Sequence, residues 1–146
     1  MRAIVQRVSS ASVVVEGQEI GKCGTGLLLL IGVHREDTVA EASRLAEKIV
    51  NLRIFNDADG KMNLALSEVG GTILAISNFT VYGDTKKNRR PSFVESAPYE
   101  QGRELFDAFV ARMRELGVEA ATGEFGAHMD VTLVNDGPVT VVVDVP

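Results

Sequence analysis

Three polar side chains interrupt an apolar stretch near the middle of the sequence. Ser77, Asn78 and Thr80 lie within "AISNFTVYG", which otherwise resembles a buried strand, and a glycine and a basic loop follow. A hydrogen bond to the local backbone at a strand end would explain any one of these groups. Three together could orient a carbonyl substrate and stabilise an oxyanion. The segment is therefore a candidate active site.

A Gly-Pro pair breaks a second stretch, "LVNDGPVTVVVDV" over residues 133–145. Proline has no backbone N–H to donate to a β ladder, so it belongs at edges, bulges and turns. Asn135, Asp136, Gly137 and Pro138 are all turn formers, and a hairpin between two strands is the simpler interpretation. The alternative is that Gly137-Pro138 is itself part of a site. Spacing alone leaves both open.

One basic cluster stands out in an acidic chain. "KKNRR" supplies Lys86, Lys87, Arg89 and Arg90, whereas the whole chain has 15 Lys and Arg against 20 Asp and Glu, a net charge of −5. That balance argues against a protein that coats long duplex nucleic acid, where phosphate contacts dominate the affinity. A small contact at one end of a nucleic acid stays open. The cluster is either a solvated loop or an anion-binding loop.

Other catalytic groups are sparse. His34 and His128 do not have a metal-ligand spacing, and Cys23 has no second cysteine. We therefore expect no metal site, no disulfide and no cofactor. No serine lies in a nucleophile-elbow context, although the members of a Ser-His-Asp triad need not be adjacent in sequence.

The elements that position these groups indicate an α+β fold. The length of 146 residues predicts a single domain over 1–146. Six or seven strands are predicted, including a buried central strand over 26–33 and one over about 72–82. Two amphipathic helices are predicted, one beginning with a Thr38/Glu41 capping box and one near Pro98 that ends at Gly117. Strands outnumber helices without alternating with them, which favours mixed or antiparallel sheets that form a barrel-like core.

The sequence suggests neither a membrane protein nor an exported protein. The N-terminal segment lacks the apolar core of a signal peptide. The longest apolar run, residues 26–33, is far too short for a transmembrane helix. We expect a cytoplasmic protein with no membrane partner. Uncovered strand edges favour a partner subunit.

Five segments together resemble the D-aminoacyl-tRNA deacylases. They are "MRAIVQRVSSASVVVEG", "NLRIFNDADGKMN", "SNFTVYGDTKKNRRPSF", "TGEFGAHM" and "VNDGPVT", in that family's order and across essentially the whole chain. The resemblance implies a homodimer that hydrolyses the ester between a D-amino acid, or glycine, and the 3′-terminal adenosine of tRNA, including glycine mischarged on tRNA(Ala). It also implies that the Gly137-Pro138 peptide is cis and enters the partner subunit's site, where it rejects L-amino acids.

The resemblance assigns roles to individual residues. It implies catalytic roles for Ser77, Thr80 and the backbone at Phe79. The 2′-hydroxyl of the tRNA's terminal ribose is expected to contribute to the reaction. A mechanism in which Thr80 is a covalent nucleophile is the second choice. The substrate-binding residues that it implies are Asn78, Gly137, Pro138, Met129 and Arg7. The tRNA phosphates would contact Lys86, Lys87, Arg89 and Arg90.

Two positions depart from the family's pattern. Asn78 stands where the family usually has glutamine, so its amide reaches one methylene less far. Glu124 stands where a basic residue is expected, which leaves more of the phosphate binding to the basic loop. Two other functions stay open: a non-catalytic nucleic-acid-binding dimer, and a general esterase with Thr80 or Ser77 as the nucleophile.

Overall fold

The computed structural model describes residues 1–146, which form eight strands and two α-helices. The strands are β1 (Arg2–Val15), β2 (Gln18–Cys23), β3 (Gly26–Gly32), β4 (Phe55–Asn56), β5 (Met62–Leu64), β6 (Thr72–Ser77), β7 (Ala120–Thr122) and β8 (Asp130–Asp144). The helices are α1 (Val39–Val50) and α2 (Tyr99–Glu115), and short 3-10 turns occupy Leu66–Val69 and Phe79–Tyr82. The predicted α+β class is confirmed.

One mixed sheet of six strands forms most of the molecule. Its order is β2-β1-β3-β6-β7, and β8 pairs with β1. The pairs of β1 with β2, β3 and β8 are antiparallel, whereas β3–β6 and β6–β7 are parallel. The two ends of the sheet meet, because a Cβ added at Gly21 of β2 would lie 2.6 Å from the carbonyl oxygen of Thr122 in β7. The sheet is therefore almost closed into a barrel, and only glycine allows this approach.

The central strand β3 is buried on both faces. Leu27, Leu29 and Ile31 pack in the larger core with the helices, and Leu28 packs in a smaller core on the opposite face. A strand covered on both sides reads as a continuous apolar run instead of an alternating one. This explains why residues 26–32 are almost entirely aliphatic.

Both helices begin as predicted. The Thr38 N–H donates to Glu41 Oε2 at 2.6 Å, and the Ala40 N–H donates to Thr38 Oγ1 at 3.3 Å, which completes the capping box. The side-chain and backbone hydrogen bonds from Thr38 lower the pKa of Glu41. Helix α2 begins directly after Pro98, and Gly117 beyond its end has φ +89°. Neither helix is long and apolar enough to cross a membrane.

The strand predicted over 72–82 is too long. β6 ends at Ser77, and the next residues turn into the 3-10 segment Phe79–Tyr82. The side chain of Asn78 accepts a hydrogen bond from the backbone N–H of Thr80, which replaces a ladder hydrogen bond. Asn78 and Thr80 consequently belong to a turn, and not to one face of a strand.

The hairpin, which is the simpler of the two interpretations of Gly137-Pro138, is wrong. Both halves of β8 pair with the same strand: Asn135 lies opposite Val8, and Thr140 lies opposite Gln6. Residues 136–139 therefore face a single residue of β1, Arg7. The segment is a bulge within one long strand, as proline in a sheet allows.

Candidate active site

A cavity of about 600 Å³ opens at the carboxyl ends of the parallel strands β3 and β6. Its walls come from those two strand ends, the 3-10 turn, the start of α2 and the segment before β8. The lining is mostly apolar, with a few polar groups, which is the usual composition of a small-molecule site. Five residues predicted for the site line it together: Ser77, Asn78, Phe79, Thr80 and Met129.

The polar wall of the cavity is built around Asn78. Its Oδ1 accepts hydrogen bonds from the backbone N–H of Thr80 at 3.2 Å and from the Thr80 hydroxyl at 2.5 Å. No carboxylate, lysine or arginine lines the cavity. The one histidine that lines it, His128, is 94% exposed and has its Nε2 3.7 Å from Asp130. Within one chain, Thr80 therefore has no carboxylate beside it to act as a base.

Phe79 forms the exposed rim of the same wall. Its ring is 58% exposed and packs edge-to-face against Phe93, with centroids 5.1 Å apart. Ser96 Oγ donates to the Phe79 carbonyl at 2.9 Å, which ties the turn to the segment before α2. Aromatic faces at a rim suit contact with a planar base. Phe93 and Ser96 were not predicted, because their relation to Phe79 depends on contacts across 14 and 17 residues.

The opposite wall depends on two glycines of "TGEFGAHM". Gly126 has φ +79°, and a Cβ there would lie 2.8 Å from the Tyr99 ring, which itself packs on Phe125. A Cβ at Gly123 would lie 2.5 Å from the sulfur of Met129. Gly126 is therefore needed for the wall to close around the cavity, and a side chain at position 123 would displace Met129.

The Gly137-Pro138 bulge does not line this cavity. Both residues are exposed, their peptide bond is cis, and Gly137 has φ +136°. Asn135 brackets the bulge: its Oδ1 accepts from the Val139 N–H at 2.8 Å, and its Nδ2 donates to Thr140 Oγ1 at 3.1 Å. The bulge therefore projects from the surface of the chain on a defined base.

The buried side chain of Arg7 holds the base of the bulge in place. The residue is only 6% exposed, and its guanidinium donates to the carbonyl oxygen of Asp136 at 3.1 Å, to that of Ile54 at 2.9 Å and to Asn56 Oδ1 at 3.2 Å. These partners all belong to the chain itself. Arg7 does not line the cavity of its own chain, where it holds the bulge through its hydrogen bond to the Asp136 carbonyl oxygen.

Comparison with known proteins identifies the family. Residues 4–144 match the D-Tyr-tRNA(Tyr) deacylase family. The chain belongs to this family. A D-aminoacyl-tRNA deacylase of Pelobacter propionicus is 56% identical and one of Thermosipho africanus is 52% identical, over 99% of this chain and over 99% and 97% of the relatives. A solved structure described as c-Myc DNA Unwinding Element Binding Protein superposes with a TM-score of 0.94 at 37% identity, covering 100% of this chain and 99% of that one.

The family predicted from the sequence motifs is thus confirmed. In this deacylase-family chain, the basic loop lies beside the cavity rim. Asp84 and Ser92 pair through two backbone hydrogen bonds of 2.8 and 2.9 Å and close the base of the loop. A Cβ at Gly83, just before the loop, would lie 3.0 Å from the Phe93 ring. The loop has four exposed cations, and none of their side-chain nitrogens lies within 4 Å of a carboxylate oxygen: Lys86, Lys87, Arg89 and Arg90.

Proposed function

We propose that this protein hydrolyses the ester bond of D-aminoacyl-tRNA and releases the free D-amino acid and the tRNA. Water adds to the ester carbonyl, the bond to the ribose oxygen breaks, and a carboxylic acid and a ribose hydroxyl form. The family membership and the name of the relatives at 52–56% identity support this assignment. The observation that carries it is the cavity that combines Ser77, Asn78, Phe79 and Thr80 with an apolar lining.

The catalytic unit of this proposal is a homodimer. Gly137 and Pro138 are exposed and lie outside the cavity of their own chain, which supports their entering the cavity of a partner. Val134 and Val142 flank the bulge on β8 and are 55% and 62% exposed. Exposed valines around a projecting backbone segment suit an interface between two copies of the chain.

The bulge supplies the chiral filter in this dimer. An L-amino acid and its D isomer expose the same groups, so attractive contacts to the side chain separate them poorly. A backbone wall placed where the L side chain must point rejects it by steric clash, whatever that side chain is. The carbonyl oxygens of the bulge accept hydrogen bonds from the α-ammonium group. Glycine has no side chain to exclude, so glycyl-tRNA, including glycine mischarged on tRNA(Ala), is also a substrate.

Catalysis relies on orientation and on hydrogen-bond donors. An aminoacyl ester is activated, and positioning with oxyanion stabilisation is sufficient to accelerate its hydrolysis. The backbone at Phe79 and the hydroxyl of Ser77 frame the scissile carbonyl, and the 2′-hydroxyl of the terminal ribose assists. Within the chain, the hydroxyls of Ser77 and Thr80 make no hydrogen bond to a carboxylate or to His128, which supports this mechanism over an acid–base pair.

The acceptor end of the tRNA lies across the rim. Phe79 and Phe93 offer an aromatic surface to the terminal adenine. The four cations of the basic loop contact the backbone phosphates next to this terminal adenosine. Glu124 lies in the segment that forms the opposite wall but outside the cavity lining, and it is exposed. Because it is acidic, the phosphate contacts concentrate on the loop.

A matched pair of substrates tests the reaction. The same tRNA is charged with a D-amino acid, its L isomer or glycine, and hydrolysis is followed with purified protein. We expect the D and glycyl esters to be cleaved and the L ester to persist. Equal cleavage of D and L esters would indicate a general esterase, and no cleavage of any of them would contradict the enzyme assignment.

A mixing experiment tests the shared site. Thr80→Trp fills the cavity mouth at an exposed position, and Gly137→Leu distorts the bulge, because φ is +136° there and a Cβ would lie 2.7 Å from Val139. Each variant alone should be inactive. When equal amounts of the two variants exchange subunits, half of the dimers are mixed. Each mixed dimer has one intact site out of two, so about a quarter of the wild-type activity should return. No recovery despite measured exchange would contradict a cross-subunit site.

A non-catalytic nucleic-acid-binding dimer is the second candidate. The name of the structural neighbour at 37% identity describes a DNA-binding protein, which is the observation in its favour. The net charge of −5 counts against it. Tight, salt-sensitive binding of DNA without ester hydrolysis would favour this function.

A further inference from the structure

Two hydrogen bonds in the cavity wall determine where the Thr80 hydroxyl places its proton. Asn78 Oδ1 lies 3.2 Å from the backbone nitrogen of Thr80 and 2.5 Å from its Oγ1. A backbone N–H can only donate, so the atom of Asn78 that it meets is the carbonyl oxygen and not the amide nitrogen. That oxygen carries no hydrogen. The Thr80 hydroxyl must therefore donate its only proton to Asn78.

This donation leaves Thr80 Oγ1 with acceptor capacity alone. A hydroxyl group has one proton and two lone pairs. With the proton held by Asn78, Oγ1 cannot also donate to an oxyanion. The chain's own cavity lining holds no carboxylate, and its one histidine, His128, makes no hydrogen bond to Thr80, so neither removes the proton and turns Oγ1 into a nucleophile.

We propose that Thr80 acts as a hydrogen-bond acceptor for an O–H donor at the reaction centre, either on the substrate or on the attacking water, and that Asn78 is the positioning residue that makes it so. This assignment rests on the function proposed above. It gives Asn78 a definite purpose: its short side chain reaches the amide two residues further along the chain, as in an Asx turn.

The donor that meets Thr80 is an O–H group close to the scissile ester. Two groups fit this description: the 2′-hydroxyl beside the ester on the terminal ribose, and the attacking water. The α-ammonium group is held by the carbonyl oxygens of the partner's bulge in the proposed dimer. An acceptor with a fixed direction would align either hydroxyl for the reaction without itself forming a bond to the substrate.

Valine at position 80 gives the cleanest test. Thr80→Val keeps the side-chain shape and the backbone hydrogen bond to Asn78 but removes the hydroxyl. In single-turnover hydrolysis of a D-aminoacyl-tRNA by the purified protein, the chemical step should slow about tenfold, the factor of one ordinary hydrogen bond. Binding of the tRNA should change less than about twofold. Thr80→Ser should retain the wild-type rate because it restores the acceptor.

The role of Asn78 is tested by a double-mutant cycle. Asn78→Ala frees the Thr80 hydroxyl to rotate and should slow the chemical step about as much as Thr80→Val. The double variant should be no slower than Thr80→Val alone, because both changes remove the same oriented acceptor. If Asn78→Ala does not fold, the comparison of Thr80→Val with Thr80→Ser still decides the role of Thr80.

Three results would overturn the proposal while the wild-type protein remains active. They are an unchanged rate in Thr80→Val, a Thr80→Ser variant as slow as Thr80→Val, and losses that multiply in the double variant. Inactivity of the wild-type protein on D-aminoacyl-tRNA would instead overturn the proposed function.

A substrate that ends in 2′-deoxyadenosine distinguishes the two donors. If the effect of Thr80→Val disappears on this substrate, the 2′-hydroxyl is the donor, and if it persists, the donor is water. Either result supports the acceptor role.

Discussion

Arg7→Leu is the substitution that best separates support of the bulge from contact with substrate. The buried guanidinium donates hydrogen bonds to the carbonyl oxygens of Asp136 and Ile54 and to Asn56 Oδ1. Leucine fills part of the space but satisfies none of these acceptors. Because the side chain of Arg7 is only 7% exposed, water cannot readily replace the lost donors.

The expected loss of stability follows from these contacts. A hydrogen bond from a charged donor contributes about 1.5–3 kcal/mol, and the apolar contacts of leucine offset part of the loss. The Asp136 carboxylate, 3.2 Å from Arg7, is 58% exposed, so its ion pair adds less than about 1 kcal/mol. We expect the free energy of unfolding to fall by about 3 kcal/mol. For a domain of this size, Tm should fall by about 6–12 °C.

The functional effect is measured on matched D- and L-aminoacyl-tRNA. Without Arg7 the bulge loses its support, so D hydrolysis should fall at least about tenfold, and the ratio of D to L rates should fall with it. Arg44→Leu is the matched control, since Arg44 is 55% exposed and pairs with Glu41 one turn away. It should change the stability by about 0.5 kcal/mol or less and leave both rates unchanged.

Two outcomes would refute this reasoning. If Arg7→Leu keeps the wild-type free energy of unfolding, the guanidinium does not hold the bulge. If it loses stability yet keeps full D activity and full rejection of the L ester, the bulge does not depend on Arg7 for its function. Urea unfolding and the paired hydrolysis assay distinguish the two.

Four further predictions concern other parts of the molecule. Replacing Lys86 and Arg90 with glutamine should weaken tRNA binding and flatten the slope of log K against log salt by about 1.4–1.8, and an unchanged slope would make the loop a solvated surface. Thr80→Ala should reduce hydrolysis about tenfold, far from the roughly 10⁶-fold loss that removal of a true nucleophile causes. Thr38→Ala should lower the free energy of unfolding by about 1 kcal/mol through loss of the cap of α1, as measured in urea. Glu41→Gln should lower Tm at pH 7, and because the folded pKa of Glu41 lies below the ordinary 4.5, this difference should disappear as the pH falls from 4.5 through that pKa.

Local chemistry determined several elements from the sequence alone. The capping box at Thr38 and Glu41 satisfies backbone groups within one helical turn, so no distant contact decides it. The aliphatic run of β3 could only be buried, and the glycine after α2 could end a helix through its positive φ. The same short-range information placed Ser77, Asn78, Phe79 and Thr80 together, and the motifs in which they lie indicated the family.

Only the tertiary structure decided what Gly137-Pro138 forms. A hairpin and a bulge use the same turn-forming residues. In a hairpin, the second half of the segment pairs with the first half. In a bulge of this kind, both halves pair with the same neighbouring strand. Here both halves pair with β1, whose residues lie about 130 positions earlier in the chain. The burial of Arg7 depends on the same pairing, since its acceptors come from residues 54, 56 and 136. Contacts between residues so far apart in the sequence leave no local pattern of residue types, because they form only when the closing sheet brings its strands together.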